Sequence, residues 1–418
     1  MTPLYDIGIR LYGTAIALAS IGHTKARKII KGRRQTERYL RSHVASKRGP
    51  WVWIHAASLG EFEQGRPLIE RIKAEQPETK ILLTFFSPSG YEVRRDYRLA
   101  DAVCYLPLDT RAHAARFLDI VKPSKAIFVK YEFWGNFLGE LHRRGIPTYI
   151  ISAIFRPTQI FFRRYGSAMR HILSCFTRLY VQDEASRKLL AGIGIDNVTV
   201  AGDTRFDRVT SIMRSAVDLP LIDRFNSNAD VTLIAGSSWP ADEDILIDWL
   251  ARHKDVKAIF APHEFDRARL HALEARLSAL GDTRCLSEIN EAGRDPATLR
   301  YIIVDSFGLL AALYRKGTIA YIGGGLGAGI HNLNEAAAYG IPVVFGPRHE
   351  KFKEAADLIK AGGGFDFDDA AAFDTVMTRL VADKELRCRA GAAAGKYIAD
   401  SIGATDRIFN DIFQPSSK

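Results

Sequence analysis

Cysteine is scarce in this chain. Four cysteines, Cys104, Cys175, Cys285 and Cys388, are spread over 418 residues without a C-x-x-C pair, which excludes a disulfide framework and a zinc ribbon and suits a reducing compartment. His263-Glu264 and His349-Glu350 lack the second histidine of an H-E-x-x-H metal motif. Heptads and low-complexity runs are missing too, so neither a coiled coil nor a disordered scaffold fits. Long apolar runs are absent near the N-terminus: the uncharged stretch Leu11 to Gly22 has twelve residues, short of the roughly 20 that a spanning helix needs. No metal and no cofactor is indicated.

Acid is absent from one place in particular. Between Lys25 and Arg48 ten Lys and Arg face a single acid, Glu37, a balance of +9 in 24 residues, whereas the whole chain carries +10. The charge is therefore a local feature rather than a nucleic-acid coat, and no nucleic-acid partner is expected. The bland reading is a solvated basic helix. An apolar stretch followed directly by a basic cluster reads better as an interfacial anchor on an anionic leaflet, at about 1 kcal/mol per basic residue near the surface. Ala17-Leu18-Ala19 has the small-residue character of a signal-peptide cleavage site, but the cationic segment behind it opposes translocation. The expected location is the cytoplasmic face of the inner membrane, peripheral or N-terminally anchored.

At 47% apolar and 25% charged residues, the chain has the composition of two, at most three, well-cored domains. From residue 51 short β-branched or aromatic runs alternate with helical patterns, the rhythm of βαβ units. Strands are expected at 51–57, 80–86, 102–108, 126–132, 147–154, 178–183 and 198–203, then at 231–238, 257–264, 300–306, 319–325 and 342–347. The rhythm lapses between Arg205 and Asp230, which places the domain junction there. The expected organisation is a membrane-associating segment at 1–48, a first domain at 49–207, a linker at 208–228, a second domain at 229–395, and a terminal helix at 396–418 that closes the second domain or crosses back. Ligands of doubly wound sheets bind beyond the carboxyl ends of the strands, so the strand-to-helix loops are where chemistry is to be sought.

Behind the first strand, Ser58-Leu59-Gly60-Glu61 opens a helix. Gly60 allows a tight turn, and Glu61 is either a general base at the crevice mouth or an acid that favours the helix N-terminus. Glu132 ends AIFVKYE, with Lys130 on the same face if strand alternation persists; the alternative is an ion pair at a strand end. Arg205, in Gly202-Asp203-Thr204-Arg205, follows a strand and could meet a phosphate or carboxylate with both prongs of its guanidinium. Gly236-Ser237-Ser238 and Ser306-Phe307-Gly308 each open a helix, as anion sites or as plain N-caps. The run IAYIGGGLGAGIHNLNEAAAYGIPVVFGP, 319–347, formally meets G-x-G-x-x-G/A through Gly323, Gly325 and Ala328. It lies late in the chain and is followed by His331, Asn332, Asn334 and Glu335, which suits a sugar nucleotide better than a dinucleotide. The alternative is a glycine loop tuned for packing. Phe155 to Arg170, rich in Arg and aromatics, could cradle a phosphorylated, acylated acceptor or form a buried helix with a solvated cationic face.

Together HAASLGEFEQGRP, KYEFWGN, GDTRFD, GSSWPADED, APHE, DSFGLL and the glycine-rich run, in this order, resemble the Kdo (3-deoxy-D-manno-oct-2-ulosonic acid) transferases of Gram-negative lipopolysaccharide synthesis over nearly the whole length. The resemblance implies a GT-B glycosyltransferase, two Rossmann-like domains facing a central cleft. It would be inverting and metal-independent, moving Kdo from CMP-Kdo to lipid IVA. By motif match Glu61 would be the general base, and Glu132 and Arg205 would stabilise the transition state, Arg205 standing where many members have Lys. CMP would be held by Pro262, His263, Phe307, Gly308, Leu309, Asn332, Leu333, Asn334 and Glu335. Three departures stand out. Many members have Arg-His after the proline where this chain has His263-Glu264, a Glu at the place of Leu309, and Asn-Pro-Leu-Glu where this chain has Asn332-Leu333-Asn334-Glu335. A membrane-associated GT-B transferase using a UDP-sugar is the alternative within enzymes.

Overall fold

The structure, a computed structural model, describes residues 3–47, 49–214, 217–289 and 295–414. The chain forms two compact units, Met1–Arg208 with Ile402–Lys418, and Val209–Ser401. Each is built on one seven-stranded parallel sheet.

The first sheet comprises β1 Trp51–Ala56, β2 Lys80–Phe85, β3 Ala102–Tyr105, β4 Lys125–Val129, β5 Thr148–Ala153, β6 Arg178–Val181 and β7 Val198–Val200, in the order β3-β2-β1-β4-β5-β6-β7. Parallel sheets are covered on both faces, which is why WVWIHA is buried at every residue rather than at alternate ones. Trp53 and Phe128 project to one side into a core with Phe117 and Phe137. Ile54 and Ile127 project to the other, against Phe62, Leu68 and Ile72 of the helix Leu59–Glu75. The second sheet comprises β8 Thr232–Ser238, β9 Lys257–Pro262, β10 Thr283–Cys285, β11 Tyr301–Ile303, β12 Ile319–Ile322, β13 Val343–Phe345 and β14 Gly364–Asp366, in the order β10-β11-β9-β8-β12-β13-β14. The twelve expected strands all form, most of them shorter at the carboxyl end. β10 and β14 escaped notice because an edge strand of three residues needs no hydrophobic run.

The N-terminal segment is a helical hairpin, Pro3–Ala19 followed by Thr24–His43. Its corner is closed by Arg27, which donates from Nε to Ser20 O (3.2 Å) and from Nη2 to Ile21 O (2.9 Å), satisfying carbonyls the first helix leaves open. It is fastened to the first unit through the Tyr5 hydroxyl on Asp109 (2.6 Å), Arg33 Nε on Leu106 O (3.0 Å) and the buried Thr36 and Leu40. No helix among the described residues is long and apolar enough to cross a membrane.

The linker expected at 208–228 is largely helical. Thr204–Arg214 is one helix and Pro220–Asn226 another, and the second buries Ile222 and Phe225 completely; an i, i+3 pair of this kind is a packing face that the local Pro, Asp and Asn disguised. At the C-terminus, Lys384–Ser401 belongs to the second unit and Ala404–Phe413 to the first. The latter helix inserts Ile408, Phe409 and Ile412 beside Leu68 and Ile72. The Asp207 carboxylate anchors its start by accepting from Gly403 N (2.6 Å) and Thr405 N (2.7 Å).

Candidate functional site

In an open α/β sheet the crevice lies where the strand order turns back on itself. In the first sheet that point is between β1 and β4; Glu61 and Glu132 follow their carboxyl ends, and Arg205 follows that of β7. Glu61 lies in the first turn of Leu59–Glu75, half-buried, with its carboxylate accepting from the Ser58 hydroxyl. Gly60 beside it lies in the helix without a positive φ, and a Cβ there would make only an ordinary contact with Ser58 Oγ at 3.8 Å, so the tight turn expected there is not what it provides.

Glu132 is buried. Its Oε2 accepts from Trp134 Nε1 at 2.6 Å and faces His55 Nε2 at 2.8 Å. β4 ends at Val129, and Lys130 takes a left-handed φ of 67°, a costly conformation for a non-glycine residue. Strand alternation therefore does not reach Lys130 and Glu132, and the shared face expected for them does not follow from it.

Arg205 stands at the start of Thr204–Arg214. Its Nε and Nη2 lie 2.9 and 2.8 Å from Asp203 Oδ2. Asp203, 4% exposed, also accepts from Gln64 Nε2 (3.0 Å). The two-pronged contact anticipated for a ligand is made to a carboxylate of the protein, which holds the guanidinium in one orientation.

Tyr131 shows what these groups have in common. Burial raises its hydroxyl above the ordinary phenol range, the cations Arg156 and Arg205 pull it back, and the anions Glu61 and Asp203 push it up again. Glu61 and Arg205 thus share one electrostatic neighbourhood, and Glu132 is the next residue in the chain. The first helix also reaches it: Tyr12 stacks on Phe86 (6.2 Å) and Phe86 on Trp134 (5.1 Å), while the Tyr12 hydroxyl, raised by burial, is lowered by Arg33 and raised by Glu132. The Phe155–Arg170 stretch is a loop with a short 3-10 turn and the helix Ser167–Leu173. It is not one buried helix: Phe155 and Phe161 enter the core, and Arg170 staples the loop through Phe161 O (2.8 Å) and Arg163 O (3.0 Å).

In the second sheet the order turns between β8 and β12. β8 runs through Ser238, and the following helix, Pro240–Arg252, begins at Trp239 rather than at a serine cap. The Asp242 carboxylate accepts from Trp239 N (2.9 Å), Gly324 N (2.8 Å) and the Tyr321 hydroxyl (2.8 Å), tying the GSSWPADED segment to the glycine run. Three rings stack at this point. His263 and His331 lie 4.0 Å apart and His263 lies 5.0 Å from Trp239, whose Nε1 donates to His331 Nε2 at 2.9 Å. Burial, then the neighbouring His263, pushes His331 down to about 4. Pro262 closes β9, and His263 N donates to Ser238 O (3.0 Å). Phe307 is 78% exposed and lies on Phe265 at 4.7 Å. Gly308, at φ 89°, turns the chain into Leu309 and the helix Leu310–Tyr314, so Ser306 does not cap it. Asn332 Nδ2 donates to Glu335 Oε1 (2.8 Å), Leu333 is buried, and Asn334 is fully buried, neither of its amide atoms having a partner among the described residues.

The glycines of the run answer to the protein's own backbone more than expected. A Cβ at Gly323 would collide with Ser237 O, and one at Gly325 would lie 2.6 Å from Gly346 N. The close approach read from the sequence as a ligand's is, at these two positions, that of neighbouring strand ends.

Residues 33–208 match the family model described as 3-Deoxy-D-manno-octulosonic-acid transferase (kdotransferase). The 3-deoxy-D-manno-octulosonic acid transferase of Haemophilus influenzae is 27% identical over 379 residues, 87% of this chain and 86% of the relative. That of Aquifex aeolicus is 28% identical over 342 residues, 80% of this chain and 87% of the relative. The chain is thus similar to Kdo transferases over most of its length. It is a glycosyltransferase of GT-B-like fold. Among solved structures, UDP-GlcNAc 2-epimerase from Neisseria meningitidis, bound to UDP-GlcNAc, matches with a TM-score of 0.56 at 14% identity, over 84% of this chain and 99% of the other, a likeness of fold alone.

The sequence reading passed over His55, Tyr131, Asp203 and Trp239. His55, Tyr131 and Trp239 lie inside HAASLGEFEQGRP, KYEFWGN and GSSWPADED. A polar or aromatic residue within two positions of a strand's carboxyl end is the signal that would have found them.

Proposed function

We propose that this protein takes Kdo from CMP-Kdo and passes it, with inversion and without a metal ion, to lipid IVA during lipopolysaccharide core synthesis. The observation that carries the reading is that Glu61 opens the helix behind β1 whose Gln64 donates to Asp203, the carboxylate that holds Arg205, with Glu132 behind the neighbouring β4. Glu61 accepts the proton of the attacking hydroxyl as that oxygen bonds to the anomeric carbon; the electron pair of the breaking bond leaves with CMP. Glu132 and the oriented Arg205 serve the charge that develops. CMP is a monophosphate, whose charge hydrogen-bond donors and a guanidinium can meet where a diphosphate more often recruits Mg²⁺. Pro262, His263, Phe307, Gly308, Leu309 and Asn332 to Glu335 are the CMP contacts. The stacked His263, His331 and Trp239 offer the aromatic wall such a ligand needs.

An acylated, phosphorylated acceptor is supported by the N-terminal hairpin. Ile7, Leu11 and Leu18 project from one face of its first helix, exposed, with Ile21 just beyond and the basic second helix alongside. A cavity of about 530 Å³, lined by Arg10, Arg34 and Arg116 together with Ile30, Leu108 and Phe117, opens between these helices and the first unit, amphipathic in the way a lipid requires. We place the protein on the cytoplasmic face of the inner membrane, held by this hairpin. The test is to incubate the protein with lipid IVA and either CMP-Kdo or a series of UDP-sugars, and to weigh the products. A Kdo adduct with CMP-Kdo alone is expected; transfer from a UDP-sugar would replace this reading.

A further inference from the structure

His55 is an anomaly in its surroundings. It is wholly buried at the penultimate position of β1, a strand whose other side chains are apolar or aromatic, and both ring nitrogens are engaged. Nδ1 lies 2.9 Å from Thr84 Oγ1 and 3.1 Å from Thr84 O. Nε2 lies 2.8 Å from Glu132 Oε2. The donors around this chain give it a direction. A carboxylate only accepts, so the proton between His55 and Glu132 sits on Nε2 and leaves Nδ1 of the neutral ring to accept from the Thr84 hydroxyl, whose oxygen in turn accepts from Trp53 Nε1 at 2.8 Å. Trp134 Nε1 stands 3.2 Å from His55 Nε2 and 2.6 Å from Glu132 Oε2; with the proton of the ring on Nε2, it is the carboxylate, at the shorter distance, that takes the indole proton. Two donors thus converge on Oε2, while Oε1 has no hydrogen-bond partner among the described residues.

We propose that His55 is a positioning residue for the transfer reaction. Through the relay Trp53, Thr84, His55 it fixes the rotation of Glu132 and reserves Oε1 for the reacting sugar. The inference rests on Glu132 acting at the reacting atoms. It adds the group that orients the carboxylate, and it assigns a role to Thr84, whose hydroxyl holds the tautomer of the imidazole. Val in place of Thr84 keeps the shape and removes the hydroxyl; the ring then finds only the carbonyl of residue 84, moves its proton to Nδ1, and turns a lone pair toward Glu132.

The experiment is steady-state kinetics with CMP-Kdo and lipid IVA on His55→Leu, His55→Gln, Thr84→Val and Thr84→Ser, each alone, and on His55→Leu combined with Glu132→Gln. By analogy with other groups that orient a functional side chain, His55→Leu and Thr84→Val should lower kcat roughly ten- to a hundredfold with KM little changed. His55→Gln, whose amide N–H lies near the place of Nε2–H, and Thr84→Ser should restore kcat to within about threefold of the parent. In the Glu132→Gln background His55→Leu should cost little more, since the two residues act as one unit. If His55→Leu does not fold, the Thr84 pair reads the same relay. An equal loss from His55→Leu with and without Glu132→Gln, or a Thr84→Val enzyme as fast as the parent, overturns the proposal. A Glu132→Gln enzyme with unchanged kcat overturns the underlying reading of Glu132 instead.

Discussion

Glu61 is held at the start of a helix that begins directly behind β1, with Ser58 donating to its carboxylate, so its position depends on rigid backbone rather than on a mobile loop. Glu61→Gln keeps that shape and removes the base. Turnover is expected to fall by at least about a hundredfold while CMP-Kdo binding, followed by calorimetry, is retained; near-normal turnover would remove Glu61 from the role. Asn334 makes a different point. Its side chain is fully buried with both amide atoms unpartnered among the described residues, where the family resemblance puts a leucine. Asn334→Leu should raise unfolding stability by about 1–3 kcal/mol, the cost of an unsatisfied buried polar group, read from urea denaturation. A loss of stability would mean that the amide is satisfied. Glu61 was legible because a strand, a turn and a first-turn acid are neighbours in sequence. The engagement of Arg205 by Asp203 was not, because which of five N–H groups meets which oxygen is settled by side-chain geometry.

Among the elements, the glycine-rich run shows how a correct observation can carry two meanings. Its glycine density did signal close approach, but Gly323 and Gly325 admit strand ends of the same sheet. At β4 the strand pattern continued on paper to Glu132, whereas the left-handed Lys130 ends it three residues earlier, a turn with no glycine to announce it. The His263, His331 and Trp239 stack leads to a pH dependence. His331 sits at about 4 in the fold, lowered first by burial and then by His263, against about 6.5 in an unfolded chain. Between these values the unfolded chain binds a proton that the folded one refuses. The contribution of His331 is therefore complete above about pH 6.5 and is lost as pH falls toward 4. Thermal midpoints measured from pH 7 to pH 4.5 should decline less steeply in His331→Gln than in the parent; parallel curves would place the histidine in solvent.

For the molecule as a whole, the basic excess near the N-terminus has been divided. Arg33 is turned inward, its guanidinium 4.5 Å above Phe86, and burial lowers it to about 10. Lys28 pairs with Glu92 and Arg41 with Glu37. Lys25, Lys31, Arg34 and Arg38 are exposed, beside a helix that presents Ile7, Leu11 and Leu18. The full-length chain should sediment with phosphatidylglycerol vesicles in preference to phosphatidylcholine, less so as salt rises. Leu11→Asp combined with Leu18→Asp should lower that partition at least about tenfold. Retention on duplex DNA in preference to vesicles would overturn the membrane assignment.

By itself the sequence determined the two parallel sheets, the loops that carry Glu61, Glu132 and Arg205, and the likeness to the Kdo transferases. Strand periodicity, helix starts and motif spacing are local and survive as pattern. Tertiary structure alone decided that β1 and β4 lie side by side, so that residues 77 apart in sequence, His55 and Glu132, share a hydrogen bond. It also decided that the C-terminal helix returns to the first unit under Asp207. Both are long-range pairings. They depend on which buried surfaces fit together and which polar groups find partners, and neither is encoded in any single window of the chain.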